Sequence, residues 1–325
     1  MRNSQTERPS WSNGAELNEI IHHPKFIAAS EQEQADMLMR SAHAKYSSEM
    51  GYAWDHYFGI ELKPLLAGRR ALDLGSLYGG RTVAWAEQYQ LAHITGIDVN
   101  PLYVDAATRF AQSRNAHADF VLGCGERLPF EDNSFEAILS FDVLEHVQSP
   151  ELTLRECFRV LKRGGYLCIV FPSYWQPIEH HLSLVTRAPG LQYLFSGSTL
   201  ISAYNRIVAS RGDDASWYRR SHLELREWER CNTINGLTLA RFRGLVREIG
   251  FGIVRHSRPP IGSIGRTVVE RPSSWHRALA AVGRVMVRVP VLEEGFLHRN
   301  VFILERRREV DDATRGKHTP RSRRA

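Results

Sequence analysis

The residues best placed to do chemistry lie in ALDLGSLYGGRTVAWA, which begins at Ala71. A short apolar run carries Asp73, a turn with Gly75, Ser76 and Gly79 follows, and a helical stretch begins near Gly79. A strand, a glycine turn and a helix in that order can cradle a small ligand. Glycine lets the backbone approach closely, and the helix N-terminus offers unpaired N–H groups. Taken alone, a tight turn that binds nothing explains the segment equally well. The second element is GIDVNP, in which Asp98 and Val99 close another apolar run. Asp98 stands nineteen residues beyond Gly79, a separation at which an acid can take both hydroxyls of a ribose. Asp98 could instead cap a helix, although Asn100, just before Pro101, suits that role better. The two elements together point to an adenosyl or dinucleotide ligand. A turn that packs against pyrophosphate needs glycine at position 77, and the chain has Leu77 there. An amino-acid ligand without phosphates demands less of the turn.

A third group, Asp142-Val143-Leu144-Glu145-His146, follows a further apolar run. If a proton must leave the acceptor, a base that titrates near neutrality is useful, and histidine suits. Glu145 with His146 could form such a pair, or Asp142 could act alone. The plainer reading, which the residues favour, is that His146 orders its loop by hydrogen bonding. His180 and His181 invite a metal reading, but adjacent histidines project in different directions and no acidic partner is near in sequence. No metal site is expected, and His181 is kept as a base supplied from a lid.

These groups need a frame that brings them to one edge. Apolar runs at Ala71–Leu74, Ile94–Val99, Asp119–Leu122, Ala137–Phe141 and Tyr166–Phe171 alternate with helical stretches at Gly79 onward, Pro101–Arg114 and Glu151–Leu161. Gly164-Gly165 is expected to stop the last helix, with Lys162 and Arg163 favourably placed at its C-terminus. After an insertion, a helix over Leu237–Ile249 leads to strands at Phe251–His256 and Asn300–Glu305. An amphipathic helix near Trp275–Val287 separates those two strands. The alternation predicts an α/β fold: a doubly wound, mainly parallel seven-stranded sheet. An N-terminal helical segment precedes the sheet, and a helical cap is inserted after strand 5. Ligands of such sheets bind outside the carboxyl ends of the strands.

The succession LDLGSLYGG, GIDVNP, GCGERLPFEDNSFEAILSFDVLEHV and RECFRVLKRGGYLCIVFPS resembles the class I S-adenosylmethionine-dependent methyltransferases, in their small-molecule and lipid-modifying branch. The resemblance covers residues 70–172. A weaker likeness to bacterial enzymes that modify saccharides or natural products runs on through HLSLVTRAPG, LFSGSTLISAYN and NTINGLTLARF. The resemblance implies S-adenosylmethionine as cofactor. Asp73, Gly75, Ser76 and Gly79 would hold its methionine portion, and Asp98 with Val99 its ribose. Gly123, Cys124, Gly125 and Glu126 would flank adenine, while Phe141 and Asp142 would line the pocket beside the sulfonium. Two positions depart from the pattern: Leu77 replaces the middle glycine, and Cys124 stands where an aspartate is common. Glu126 is the candidate substitute for that carboxylate. A nicotinamide-dependent oxidoreductase and a non-catalytic S-adenosylmethionine-binding relative are the competing readings.

The 325 residues divide into an N-terminal helical segment (1–69), a cofactor-binding core (70–172), a cap (173–237), a completion of the core (238–305) and a basic tail (306–325). The net charge is +6, and the tail alone carries eight Lys/Arg against three Asp/Glu. The remaining body is nearly neutral, which argues against an extended nucleic-acid groove. No uninterrupted apolar stretch reaches the roughly 18 residues of a membrane span, and no secretory leader opens the chain. Cys124, Cys157, Cys168 and Cys231 include no CxxC pair, so neither zinc nor a disulfide framework is expected. A cytoplasmic enzyme acting on a small molecule or a saccharide is the resulting expectation; oligomeric state is left open.

Overall fold

Runs of leucine, isoleucine, valine and alanine that are covered on both faces belong in the middle of a parallel sheet. That is where they lie in the computed structural model, which describes residues 20–21, 24–51, 54–172, 174–177, 188–210, 235–261, 274–290 and 292–307. The strands are β1 (Arg70–Leu74), β2 (His93–Asp98), β3 (Ala118–Leu122), β4 (Phe135–Phe141), β5 (Leu161–Phe171), β6 (Phe251–Ser257) and β7 (Asn300–Arg306). They form one seven-stranded sheet in the order β3-β2-β1-β4-β5-β7-β6. Pairing is parallel from β3 to β5, and β7 enters antiparallel between β5 and β6.

The helices are α1 (Pro24–Ile27), α2 (Glu31–Met50), α3 (Trp54–Phe58), α4 (Lys63–Leu66), α5 (Gly80–Gln88), α6 (Pro101–Ser113), α7 (Pro150–Val160), α8 (Leu191–Leu194), α9 (Gly197–Ser210), α10 (Leu239–Ile249), α11 (Ser274–Met286) and α12 (Glu293–Phe296). One face of the sheet is sealed by Leu154, Cys157 and Val160 of α7 with Phe242, Leu245 and Val246 of α10. The other is sealed by Trp54, Phe58, Leu66 and Trp85. A third cluster joins α2 and α6 through Leu38, Ala42, Tyr103 and Phe110. α2 begins with a capping box, Ser30 accepting from the Glu33 N–H while Glu33 accepts from Ser30.

One boundary differs from expectation. α7 ends at Val160, and Leu161 already pairs with Phe135 as the first residue of β5. Lys162 turns to Glu136 of β4, at 2.8 Å, rather than to the end of the helix. Gly164-Gly165 does not stop the helix; it lies within the strand. Gly164 has φ 76°. A Cβ on Gly165 would sit 2.8 Å from the carbonyls of both Glu136 and Lys162. The glycine pair lets the strand pass through an irregular register. Of the cap, His180, His181, Trp217, Tyr218, His222 and Trp228 lie outside the described residues.

Candidate cofactor and active site

The register places Leu74 of β1 beside Ile97 of β2 and Ser140 of β4, so the loops after these strands open on one edge. This edge is the switch point: the chain winds from β1 to β2 and β3 on one side and to β4 on the other. The structure brings Asp73, Asp98 and the loop after β4 together there. In the turn, Gly75 and Ser76 donate to the Ile97 carbonyl, and Gly79 donates back to Ser76. Gly79 caps α5 in the left-handed region at φ 79°, where a Cβ would lie 2.8 Å from that of Ala107. It is therefore needed for the turn and for helix packing, independently of any ligand.

Leu77 also adopts a left-handed conformation, at φ 47°. The backbone thus keeps the shape a glycine would supply, and the leucine side chain packs against the Tyr78, Tyr103 and Phe110 cluster. The Leu77 N–H donates to Asp98 Oδ2 at 2.9 Å, and the Asn100 N–H donates to Asp98 Oδ1 at 3.0 Å. Burial nevertheless raises the Asp98 pKa, with those backbone donors opposing. Asn100 caps α6, accepting from Leu102 N–H. Holding leucine in the left-handed region costs roughly 1 kcal/mol. Leu77→Gly should therefore change stability by less than about 1 kcal/mol, strain relief offsetting lost packing. Leu77→Val should cost about 2 kcal/mol, because a β-branched residue fits that region worst. Urea denaturation separates the two, and equal losses would show that backbone conformation is not the constraint.

Asp73 is buried, and Thr82 Oγ1 donates to its Oδ2 at 2.5 Å. Burial pushes its pKa up to about 7, with the Thr82 hydroxyl and the Arg81 charge opposing. A buried carboxylate held this close to neutrality is matched by an ammonium group. Ser76 Oγ and Ser140 Oγ, also buried, have no hydrogen-bond partner among the described residues. These features fit the amino-acid end of a nucleoside ligand.

In the loop after β3, Gly123 donates to the Asp98 carbonyl and Gly125 is buried against Thr153. Cys124 is a half-buried free thiol. Glu126 Oε1 accepts from Gln148 N–H at 2.7 Å, tying this loop to the approach to α7. Val99 is exposed beside Asp98.

Phe141, the last residue of β4, is packed between Trp54 and Trp85. Asp142 follows at φ 55° and pairs with Arg299 Nε at 3.1 Å. Burial works to raise its pKa, but Arg299, Arg81 and Lys45 outweigh it, holding the carboxyl below its ordinary range. Glu145 is buried and its Oε1 lies 3.7 Å from Nε2 of the more exposed His146.

Several residues here escaped the sequence reading. Asn235 bonds the carbonyls of Leu144 and Val147 through Nδ2, both at 2.8 Å, fixing the loop after β4. α2 closes over the turn so tightly that a Cβ on Gly80 would strike the Ala42 carbonyl and the Tyr46 amide. Glu49 of α2 is buried, with its Oε1 2.9 Å from Lys45 and 3.0 Å from Arg81 Nε. Arg81 Nη1 in turn donates to the Phe141 carbonyl at 3.1 Å. An acid on the inward face of α2 was the available signal for this network.

Residues 72–169, which carry Asp73, the glycine turn, Asp98 and the loop after β4, match the family described as methyltransferase domain. Over this stretch the chain is similar to the class I S-adenosylmethionine-dependent methyltransferases. Among curated proteins, the chain is 29% identical over 143 residues to a ubiquinone biosynthesis O-methyltransferase of Maricaulis maris, covering 43% of this chain and 56% of that one. It is 32% identical over 219 residues to a sterol 24-C-methyltransferase of Gibberella zeae, covering 61% and 56%. It is 35% identical over 103 residues to a probable phthiotriol/phenolphthiotriol dimycocerosates methyltransferase of Mycobacterium ulcerans, covering 31% and 38%. The chain thus spans little more than half, or less, of these relatives' lengths. They lend the oxidoreductase reading no support. In the methyltransferase domain, the predicted Asp73, Gly75, Ser76, Gly79, Asp98 and Asp142 cluster at the sheet edge, and His181 lies outside the described residues.

Proposed function

We propose that the protein transfers a methyl group from S-adenosylmethionine to an amphiphilic small molecule. The observation that carries this reading is the buried Asp73, with its pKa near 7, beside Asp98 at the switch point. Asp73 accepts from the cofactor ammonium, Asp98 takes the ribose hydroxyls, and the Gly123–Glu126 loop flanks adenine. The bound cofactor supplies an electrophilic methyl group on a sulfonium. Asp142, kept ionised by Arg299, provides a fixed negative charge on that side of the pocket. Glu126 acts by positioning its loop through Gln148. The names of the relatives, which concern ubiquinone biosynthesis, sterols and phthiotriols, support an acceptor with a large apolar part. The aromatic pair Trp175 and Tyr193, stacked 5.6 Å apart at the start of the cap, suits such an acceptor.

His146, on the loop after β4 and backed by Glu145, takes the proton from an oxygen or nitrogen acceptor as the methyl group arrives. His146→Gln should lower kcat about 100-fold, remove the acidic limb of its pH profile and leave cofactor affinity unchanged. An unaltered pH profile would assign transfer to positioning alone. The reaction itself is tested by incubating the protein with methyl-labelled cofactor and fractionated cell extract. Label should enter an organic-soluble small molecule. Label in a water-soluble saccharide would change the acceptor class, and no transfer to any fraction would contradict the activity.

A further inference from the structure

α11 breaks the rule that a surface helix turns polar residues to solvent. Its inward stripe is Ala280, Gly283 and Val287, with Gly283 packed against Pro260 and Ile261. On the opposite side, at helical spacing, Val282, Val285 and Val289 face outward, and Val285 is 62% exposed. Arg277, Arg284 and Arg288 form a separate exposed stripe along one flank. No Asp or Glu occurs from Ser274 to Leu292.

This face does not end with the helix. Leu292 is exposed, and the α12 turn that follows places Gly295 against the Trp175 carbonyl and the Tyr193 hydroxyl. Trp175, Tyr193, Leu194 and Phe195 are themselves exposed, Leu194 by 75%. Scattered apolar side chains on a surface need no explanation, but two exposed groups linked through α12 into one rim do. Beyond α12 the chain reaches Arg299, which pairs with Asp142, so the rim borders the mouth of the site.

We propose that this rim docks the protein on an anionic lipid surface, with the valines, Leu194 and Phe195 entering the headgroup boundary and the three arginines facing lipid phosphates. Charge decides the occupant: valine alone would suit any apolar partner, whereas three exposed arginines along this flank, against Glu294 beside Tyr193 and the buried Glu293, leave the rim net positive and match a negatively charged interface. The mode is peripheral, because no helix among the described residues is long and apolar enough to cross a membrane.

The test is cosedimentation of the full chain with vesicles of phosphatidylcholine alone or mixed with phosphatidylglycerol, without cofactor, so it stands whatever the fate of the proposed activity. Binding should be at least roughly tenfold stronger to the anionic vesicles and should fall as salt rises. Val285→Asp combined with Val289→Asp should weaken it about tenfold while leaving the melting temperature and S-adenosylhomocysteine binding intact. Wild-type binding to neither vesicle, or double-variant binding equal to wild type, would overturn the proposal. A dimer seen by sedimentation velocity and lost in the double variant, without vesicle binding, would give the rim to a second copy and overturn it as well.

Discussion

Asp73→Asn is expected to weaken cofactor binding about 100-fold and at the same time to stabilise the free protein. The two effects have one cause. Burial raises the Asp73 pKa from its ordinary 3.8 to about 7. Between those values the folded chain holds a proton that the unfolded chain has released. The contribution of Asp73 to stability therefore falls as pH rises through this window, and the full penalty is present above about pH 7. Asparagine never ionises, so the variant escapes a cost on the order of a few kcal/mol at pH 8. Its melting temperature should exceed wild type by roughly 5 °C at pH 8 and by much less at pH 5. Its affinity for S-adenosylhomocysteine should fall about 100-fold through the lost ammonium pair. In the wild type, affinity should weaken by up to about tenfold per pH unit below 7, as Asp73 takes up its proton. A stability gain that is the same at both pH values would show that Asp73 is not the titrating group.

Arg81→Met should destabilise the protein by about 3 kcal/mol, because it strands a buried acid. Glu49 is 2% exposed, and Arg81 joins it to the Phe141 carbonyl across α2, α5 and β4. Lys45 and the Trp54 indole N–H remain with Glu49 in the variant, which limits the loss. Adding Glu49→Gln should recover part of it, giving a coupling energy of about 1–3 kcal/mol in a double-mutant cycle by urea denaturation. Strict additivity would mean that α2 docks through Gly80 and the apolar cluster alone.

The sheet was legible because its strands announce themselves as short apolar runs at regular spacing, and Asn100 opens α6 where its chemistry suggests. The boundary at Leu161 was not, since a Gly-Gly pair reads as a helix stop until a neighbouring strand is there to receive it. Asp73 and Asp98 were legible because an acid at the end of a strand, at fixed distance from a glycine turn, follows from local geometry. Glu49, Asn235 and Arg299 were not, because each reaches the site from a distant part of the chain. The departure at Leu77 looked more serious in sequence than in structure. What the turn requires is a left-handed backbone and the N–H aimed at Asp98, and leucine supplies both.

The most direct test of the cofactor assignment is calorimetric titration of the wild-type protein at pH 8 with S-adenosylmethionine, S-adenosylhomocysteine and a nicotinamide dinucleotide. Both sulfur ligands should bind, the dinucleotide should not, and Asp73→Asn should weaken binding of the first two about 100-fold. Binding of the dinucleotide without either sulfur ligand would contradict the account.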